Sequence, residues 1–343
     1  VAEPVENAAN AANAASAEGA ASVASAASVE RVTGVDHMDH VDHMDRAEHV
    51  DRAEHVDRAE YAGRGAGEEA WSGSGVAESW RTYRMVAAMW IRSTLAYRSS
   101  FALTFLSSLV ATFFDFVVIL LMFGQVRGLG GFSFAEVAFL YGATGTSFGL
   151  ADLVMGSLPR MGKRVRDGSL DTFLLRPAPV LAQVAADRFA LRRLGRIAQG
   201  LLVLVWGLVV LEGVEWTPLK VLLVPVMLLS GALIFAALMV LGASLLFWLQ
   251  DAGEVTSSFT YGGNTMLQYP PTIFAQDLVR GVVYVVPLAF VNWLPALYVL
   301  GRTPPAGVPG WAAFASPLVA AVCCAVAGLA WRAGLRSYQS TGS

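Results

Sequence analysis

The sequence has few of the residues from which soluble catalytic sites are built. It contains two cysteines in 343 residues, and they are adjacent, Cys323 and Cys324, inside an apolar run. That excludes a disulfide framework and any cysteine-based zinc site. All five histidines, His37, His40, His43, His49 and His55, lie near the start of the chain, so the remaining 288 residues have none. Charged residues make up 15% of the chain, against about 25% in soluble domains. There is no GxxxxGK[ST] phosphate loop and no acidic Walker-B strand, so the chain has no nucleotide-hydrolysing motif of that kind. No basic start followed by a short apolar region opens the sequence, and a secretory signal is not expected there.

What is abundant is apolar: 55% of residues are hydrophobic and the mean hydropathy is +0.52. Charge is also unevenly placed. Residues 1–79 hold 16 acids against 5 bases, and residues 80–343 hold 19 bases against 11 acids. This splits the chain into an acidic tail and one oily, weakly basic polytopic domain. The tail begins as an Ala/Ser/Asn/Glu stretch, and residues 35–61 then repeat every six residues as VDHMDH, VDHMDR, AEHVDR. Such a short polar unit cannot bury a shared core, so 1–79 reads as a disordered low-complexity segment. The other reading is a metal site at His37, His40 and His43, since imidazole with carboxylate suits zinc or nickel. No packing would fix such ligands.

A membrane-spanning helix needs about 20 mostly apolar residues. Runs of that kind occur at 101–123, 132–158, 194–211, 219–249 and 311–331. Lys and Arg concentrate on the cytoplasmic side of a membrane. Here Arg81, Arg84, Arg92 and Arg98 precede the first run, nine bases lie between the second and third, and Arg332 and Arg336 follow the last. The opposite loops carry Arg127, Lys220 and Arg302. Both termini are therefore expected in the cytoplasm, and the number of crossings must be even. Six follow if 250–310 contributes one. The preferred path has 251–269 crossing outward, with 271–300 dipping into the outer leaflet and returning over the broken backbone of Pro287, Asn292 and Pro295. The alternative lays 251–269 at the interface and crosses with 272–294. Arg280 and the prolines fit a plain span poorly. Residues 80–98 read as an amphipathic interfacial helix, with Tyr83, Val86, Ala87, Trp90 and Tyr97 on one face and Arg81, Arg84 and Arg92 on the other. The alternative is an extension of the first span.

The polar loop 159–196 contains DGSLDTFLLRP (167–177). Gly168 allows a turn, Ser169 can cap a short helix, and Pro177 stops it. Leu170, Phe173 and Leu174 share one face, followed by Leu175 and Arg176. A short apolar helix on the cytoplasmic side is expected to dock in a groove of another protein. The alternative is packing against its own domain.

GSLDTFLLRPAP (168–179), FTYGGNTMLQYPPTIF (259–274) and PLAFVNWLPALYVLGR (287–302) resemble the ABC-2 type permeases, in particular the ABC-2 family transporter proteins of actinobacteria, over about 80–336. The resemblance implies an all-α polytopic membrane protein of six transmembrane helices. It implies an N-terminal amphipathic helix at 80–98, a transmembrane domain at 99–336 with its coupling loop at 159–196, a re-entrant outer segment before the last helix, and a short C-terminal tail at 337–343. It further implies an export permease in the bacterial plasma membrane, paired with a second permease, identical or homologous, and two copies of an ABC ATPase. ATP and Mg would bind on that partner and no cofactor on this chain. Gly168, Leu170, Asp171, Phe173, Leu174, Leu175, Arg176 and Pro177 are the residues expected at the ATPase contact, and no nucleic-acid partner is implied. The alternative functions are an ATP-independent channel or secondary carrier, and an intramembrane enzyme. The enzyme would need polar catalytic groups that the spans lack. Asp115, in the middle of the first run, is costly to bury ionised. It is expected to face a pathway, to pair with Arg280, or to meet the partner permease. Glu136 and Asp152, near the ends of the second run, read as residues at the membrane interface.

Overall fold

The computed structural model describes residues 76–126, 128–249, 253–304 and 307–338. The histidine repeat with His37, His40 and His43, together with Arg127 and Asp251, lies outside them. In chain order the helices are α1 (Val76–Ala96), α2 (Arg98–Gln125), α3 (Phe134–Met155), α4 (Met161–Arg166), α5 (Asp171–Leu174) and α6 (Val180–Ala186). They continue with α7 (Leu194–Val210), α8 (Pro218–Leu245), α9 (Gly253–Leu267), α10 (Gln276–Tyr284), α11 (Trp293–Val299) and α12 (Ser316–Ser337). No strand occurs among the described residues apart from one isolated bridge. Five segments are long and apolar enough to cross a membrane: α2, α3, Leu191–Val210, α8 and α12.

α3 is the central helix, buried over most of its length. Its start is fixed by a capping box in which Ser133 Oγ accepts from the Glu136 N–H and the Glu136 carboxylate accepts from the Ser133 N–H. This satisfies two of the donors a helix start leaves unpaired. The turn entering α3 is a two-residue hairpin. Leu129 and Phe132 exchange backbone hydrogen bonds, and Gly130 and Gly131 take positive φ of 57° and 85°, as a type I′ turn requires.

Small residues let α3 and α7 approach to backbone contact. A Cβ on Gly142 would stand 2.4 Å from the Leu204 nitrogen, and one on Gly200 would stand 2.8 Å from the Thr146 nitrogen. Gly142→Ala is therefore expected to force the two helices apart, at a cost of about 2 kcal/mol. A thermal midpoint unchanged in detergent would contradict this packing. On its other side α3 meets α8, where Ser147 Oγ donates to the Leu228 carbonyl. α8 packs in turn along α12. α2 is the least covered of the crossing helices, with 11% of its apolar window buried.

α1 begins at Val76, earlier than its sequence pattern suggests, and Tyr97 (φ −109°, ψ 65°) separates it from α2. It is therefore not a continuous extension of the first span. Part of its apolar face is occupied by protein, while Tyr97 is exposed. Ala87 is buried, α1 packs on α6, and Tyr83 Oη donates to the Val154 carbonyl. The exposed face carries Met85 and Met89 together with Arg81, Arg84 and Arg92.

The path through 253–304 follows from its contacts with α3. At the end of the bundle near the 156–193 loop, Gly242 of α8 abuts Thr256 of α9, and Tyr261 packs edge-on against Phe148. α9 then stops at Leu267, whose carbonyl meets Thr144 near the middle of α3. A 15-residue helix rises about 22 Å, short of the roughly 30 Å hydrocarbon core. An irregular stretch through Pro270 and Pro271 completes the pass and brings Thr272 to Gly130, at the hairpin end. Together they run from the loop end of the bundle to the hairpin end. α10 lies at the hairpin end, since the Tyr284 hydroxyl donates to the Gly307 carbonyl there. The chain next dips to Val291, against Gly231, and Asn292, against Thr144. It returns through α11 to Arg302, which pairs with Glu136. The segments Gln276–Tyr284 and Leu288–Val299 are bent by 79°. The segment as a whole starts and finishes at the hairpin end with its dip against α3, which is the course of a re-entrant loop.

Candidate functional site

The re-entrant tip shows how non-helical backbone survives inside the bundle. In hydrocarbon, every exposed carbonyl needs a donor from the protein. Asn292, fully buried, places Nδ2 2.9 Å from the Leu267 carbonyl, 3.3 Å from the Leu140 carbonyl and 2.5 Å from Thr144 Oγ1. The Thr144 hydroxyl also reaches the Leu267 carbonyl, at 3.1 Å. Trp293 Nε1 donates to Tyr269 O, and Ser316 Oγ donates to Phe290 O. The Leu267, Tyr269 and Phe290 carbonyls, at breaks in the helix ladder, thus each receive a side-chain donor. Pro287 leads the single turn Leu288–Phe290. Pro295 occupies the first turn of α11, where its missing N–H costs nothing.

Above the tip, Arg302 makes two hydrogen bonds to the Glu136 carboxylate, at 2.9 and 2.8 Å, and stacks over Phe132. Glu136 thus has an ion-pair partner within its own domain. A cavity of about 390 Å³ opens beside this pair, lined by Phe132, Thr272, Phe274, Arg280 and Leu297 among others. Asp115 is exposed on α2 and has no ion-pair partner among the described residues. Arg280 lies on α10 with Asp277 at 3.4 Å, so the expected Asp115–Arg280 pair is not formed.

At the other end, Asp152 pairs with Arg193 at 3.2 Å and with Arg196 at 3.9 Å, again inside the domain. Arg193 also donates to the Gly156 carbonyl. These contacts clamp the two ends of the 156–193 loop together. Arg164 pairs with Asp187 within it. The turn into α5 is made by Asp167, whose carboxylate accepts from the Ser169 hydroxyl and N–H, and by Gly168 at φ 67°. Those two hydrogen bonds, the hydroxyl first, hold the Asp167 carboxyl below the usual carboxylate range. Ser169 serves this turn and does not cap α5, whose preceding residue is Leu170.

The face expected at Leu170, Phe173 and Leu174 is divided. Leu170 is completely buried, and Phe173 packs on the core between the guanidiniums of Arg164 and Arg176. Gln183 Nε2 donates to the carbonyls of Phe173 and Ala178, fastening α5 to α6. Leu174 is 39% exposed and Leu175 is 85% exposed, and Arg176 and Pro177 are also exposed. The result is a knob: Leu170 and Phe173 are its root, and Leu174 to Pro177 are its outward tip. Asp171, at its side, accepts from the Tyr338 hydroxyl. Sequence spacing misses Thr144, Trp293, Ser316, Gln183 and Tyr338. Only Gln183 leaves a trace, as the one polar residue in VLAQVAA.

The family model for "ABC-2 family transporter protein" matches residues 109–342, from within α2 through the last helix. The chain belongs to this ABC-2 transporter family. It is a permease component of an ABC-type transporter, multi-pass and all-α, rather than a catalytic enzyme. No curated protein and no solved structure matches the permease.

Proposed function

We propose that this permease is the membrane half of an ATP-driven exporter in the bacterial plasma membrane. It works as a pair with a second permease, identical or homologous, on two ABC ATPase subunits that carry ATP and Mg. The 156–193 loop and both termini face the cytoplasm. The observation that carries this reading is the knob: two leucines, Leu174 and Leu175, with Arg176 between them and Pro177, exposed at the most arginine-rich end of the molecule. Leu175 at 85% exposure serves no purpose in the isolated fold, whereas a groove in a motor subunit would bury it. The buried root gives the tip a rigid lever, so closure of the motor pushes on α4 and α6 and through them on α3 and α7. At the far end, the re-entrant tip and the Glu136–Arg302 pair close the pathway to the outside.

The test is co-expression of the full chain with an ABC ATPase encoded beside it, solubilisation, and purification through a tag on the permease. The reading expects the ATPase in the eluate and ATP turnover that depends on the permease. A permease that transports without any nucleotide-hydrolysing partner would refute it in favour of a channel or carrier.

A further inference from the structure

The loop is joined by the chain to α3 and α7, yet the structure also ties its knob to a helix far away in sequence. Tyr338 follows α12 directly, and its hydroxyl donates to Asp171 Oδ1 at 3.0 Å. Its ring packs edge-on against Phe247, beyond the end of α8, with centroids 6.0 Å apart. Phe247 in turn meets Trp331 of α12 edge-on at 5.4 Å. Gly334 lets this ring seat on α12, because a Cβ there would stand 2.4 Å from Phe247 Cδ2. Three segments therefore converge on one junction: the knob helix α5, the end of α8 and the end of α12.

We propose that Tyr338 is a positioning residue that links the knob to the α8–α12 pair, so that motion of the knob is delivered to the last helix as well as to α3 and α7. The proposal rests on the coupling reading above. The geometry suits a mechanical link. A hydroxyl–carboxylate hydrogen bond is directional and among the stronger hydrogen bonds. The Phe247–Trp331–Gly334 packing leaves little slack through which motion could be lost. The donor also stays protonated in working conditions: burial first, and then Asp171, push the Tyr338 hydroxyl up to about 12. Leu170 and Phe173 tie the knob to the hydrophobic core, and Gln183 ties it to α6.

The test uses the full permease–ATPase complex in lipid nanodiscs. The native Cys323 and Cys324 are replaced by Ala, and a single reporter cysteine at the exposed Arg332 of α12 carries an environment-sensitive fluorophore. The reading is the emission change between the nucleotide-free and the vanadate-trapped states. The parent complex is expected to show a change, and Tyr338→Phe to lower it by roughly threefold or more while the ATPase still co-purifies in the parent yield. The double variant Asp171→Asn/Tyr338→Phe should lose no more than Asp171→Asn alone, as members of one link do. A full emission change in Tyr338→Phe, or a loss no larger than its loss of assembly, overturns the link and leaves Tyr338 as an anchor. No emission change in an assembled parent complex also overturns it. Failure of the parent to assemble with any ATPase would sink the coupling reading first and this proposal with it.

Discussion

Leu175→Asp leaves the permease folded and inserted but removes its ATPase. The side chain is exposed, and a surface change of this kind alters stability by about 0.5 kcal/mol or less. In the docked complex the same carboxylate would sit unpaired in an apolar groove. That desolvation is expected to weaken association at least ~100-fold, or about 3 kcal/mol. Leu174→Asp acts in the same direction and less strongly, because Leu174 is already partly covered by its own domain. Leu170→Asp fails differently, through misfolding, because that side chain is completely buried. The three variants are separated by two measurements: thermal midpoint of the detergent-solubilised permease, and yield of co-purified ATPase. Loss of midpoint in Leu175→Asp, or full ATPase yield, would show that the knob tip does not dock.

Asn292→Leu produces the largest loss of stability at the re-entrant tip. It removes the amide donor shared by the Leu267 and Leu140 carbonyls and Thr144. The Thr144 hydroxyl can still serve Leu267, so the cost is that of roughly one to two buried unsatisfied groups, about 3 kcal/mol. For a domain of this size that corresponds to a fall in thermal midpoint of roughly 6–12 °C. Asn292→Asp should fall further, since a carboxylate would face carbonyl oxygens with no donor to offer. A midpoint within 2 °C of the parent, about 1 kcal/mol or less by the same scale, would mean that the tip is held by packing alone.

The sequence made much of this architecture legible, because apolar length is a strong signal. The runs at 101–123, 132–158, 194–211, 219–249 and 311–331 overlap the five long apolar helices, with boundaries shifted by up to six residues. The Ser133–Glu136 capping box that starts α3 emerges only from the structure. The prolines, Asn292 and Arg280 pointed to a broken segment, and the segments Gln276–Tyr284 and Leu288–Val299 are bent by 79°. What was not legible are the partners. Thr144 and Asn292 are 148 residues apart, Glu136 and Arg302 are 166, and Asp171 and Tyr338 are 167. No local pattern encodes such pairs. Helical spacing put Leu170, Phe173 and Leu174 on one face, but spacing cannot say what that face meets. Tertiary packing took the first two inward and left Leu174 and Leu175 outside. The same limit applied to α1, whose spacing gave an amphipathic helix but not its contact with α6.

The most direct test of the coupling account is a site-specific cross-link from the knob tip. A cysteine at Leu175, in a chain whose Cys323 and Cys324 are Ala, would be treated with a membrane-impermeant maleimide on intact cells, and with a short bifunctional maleimide on inverted membrane vesicles. The account predicts no labelling from outside, and a cross-linked band containing permease and ATPase in the vesicles. Labelling of intact cells at this position would contradict it.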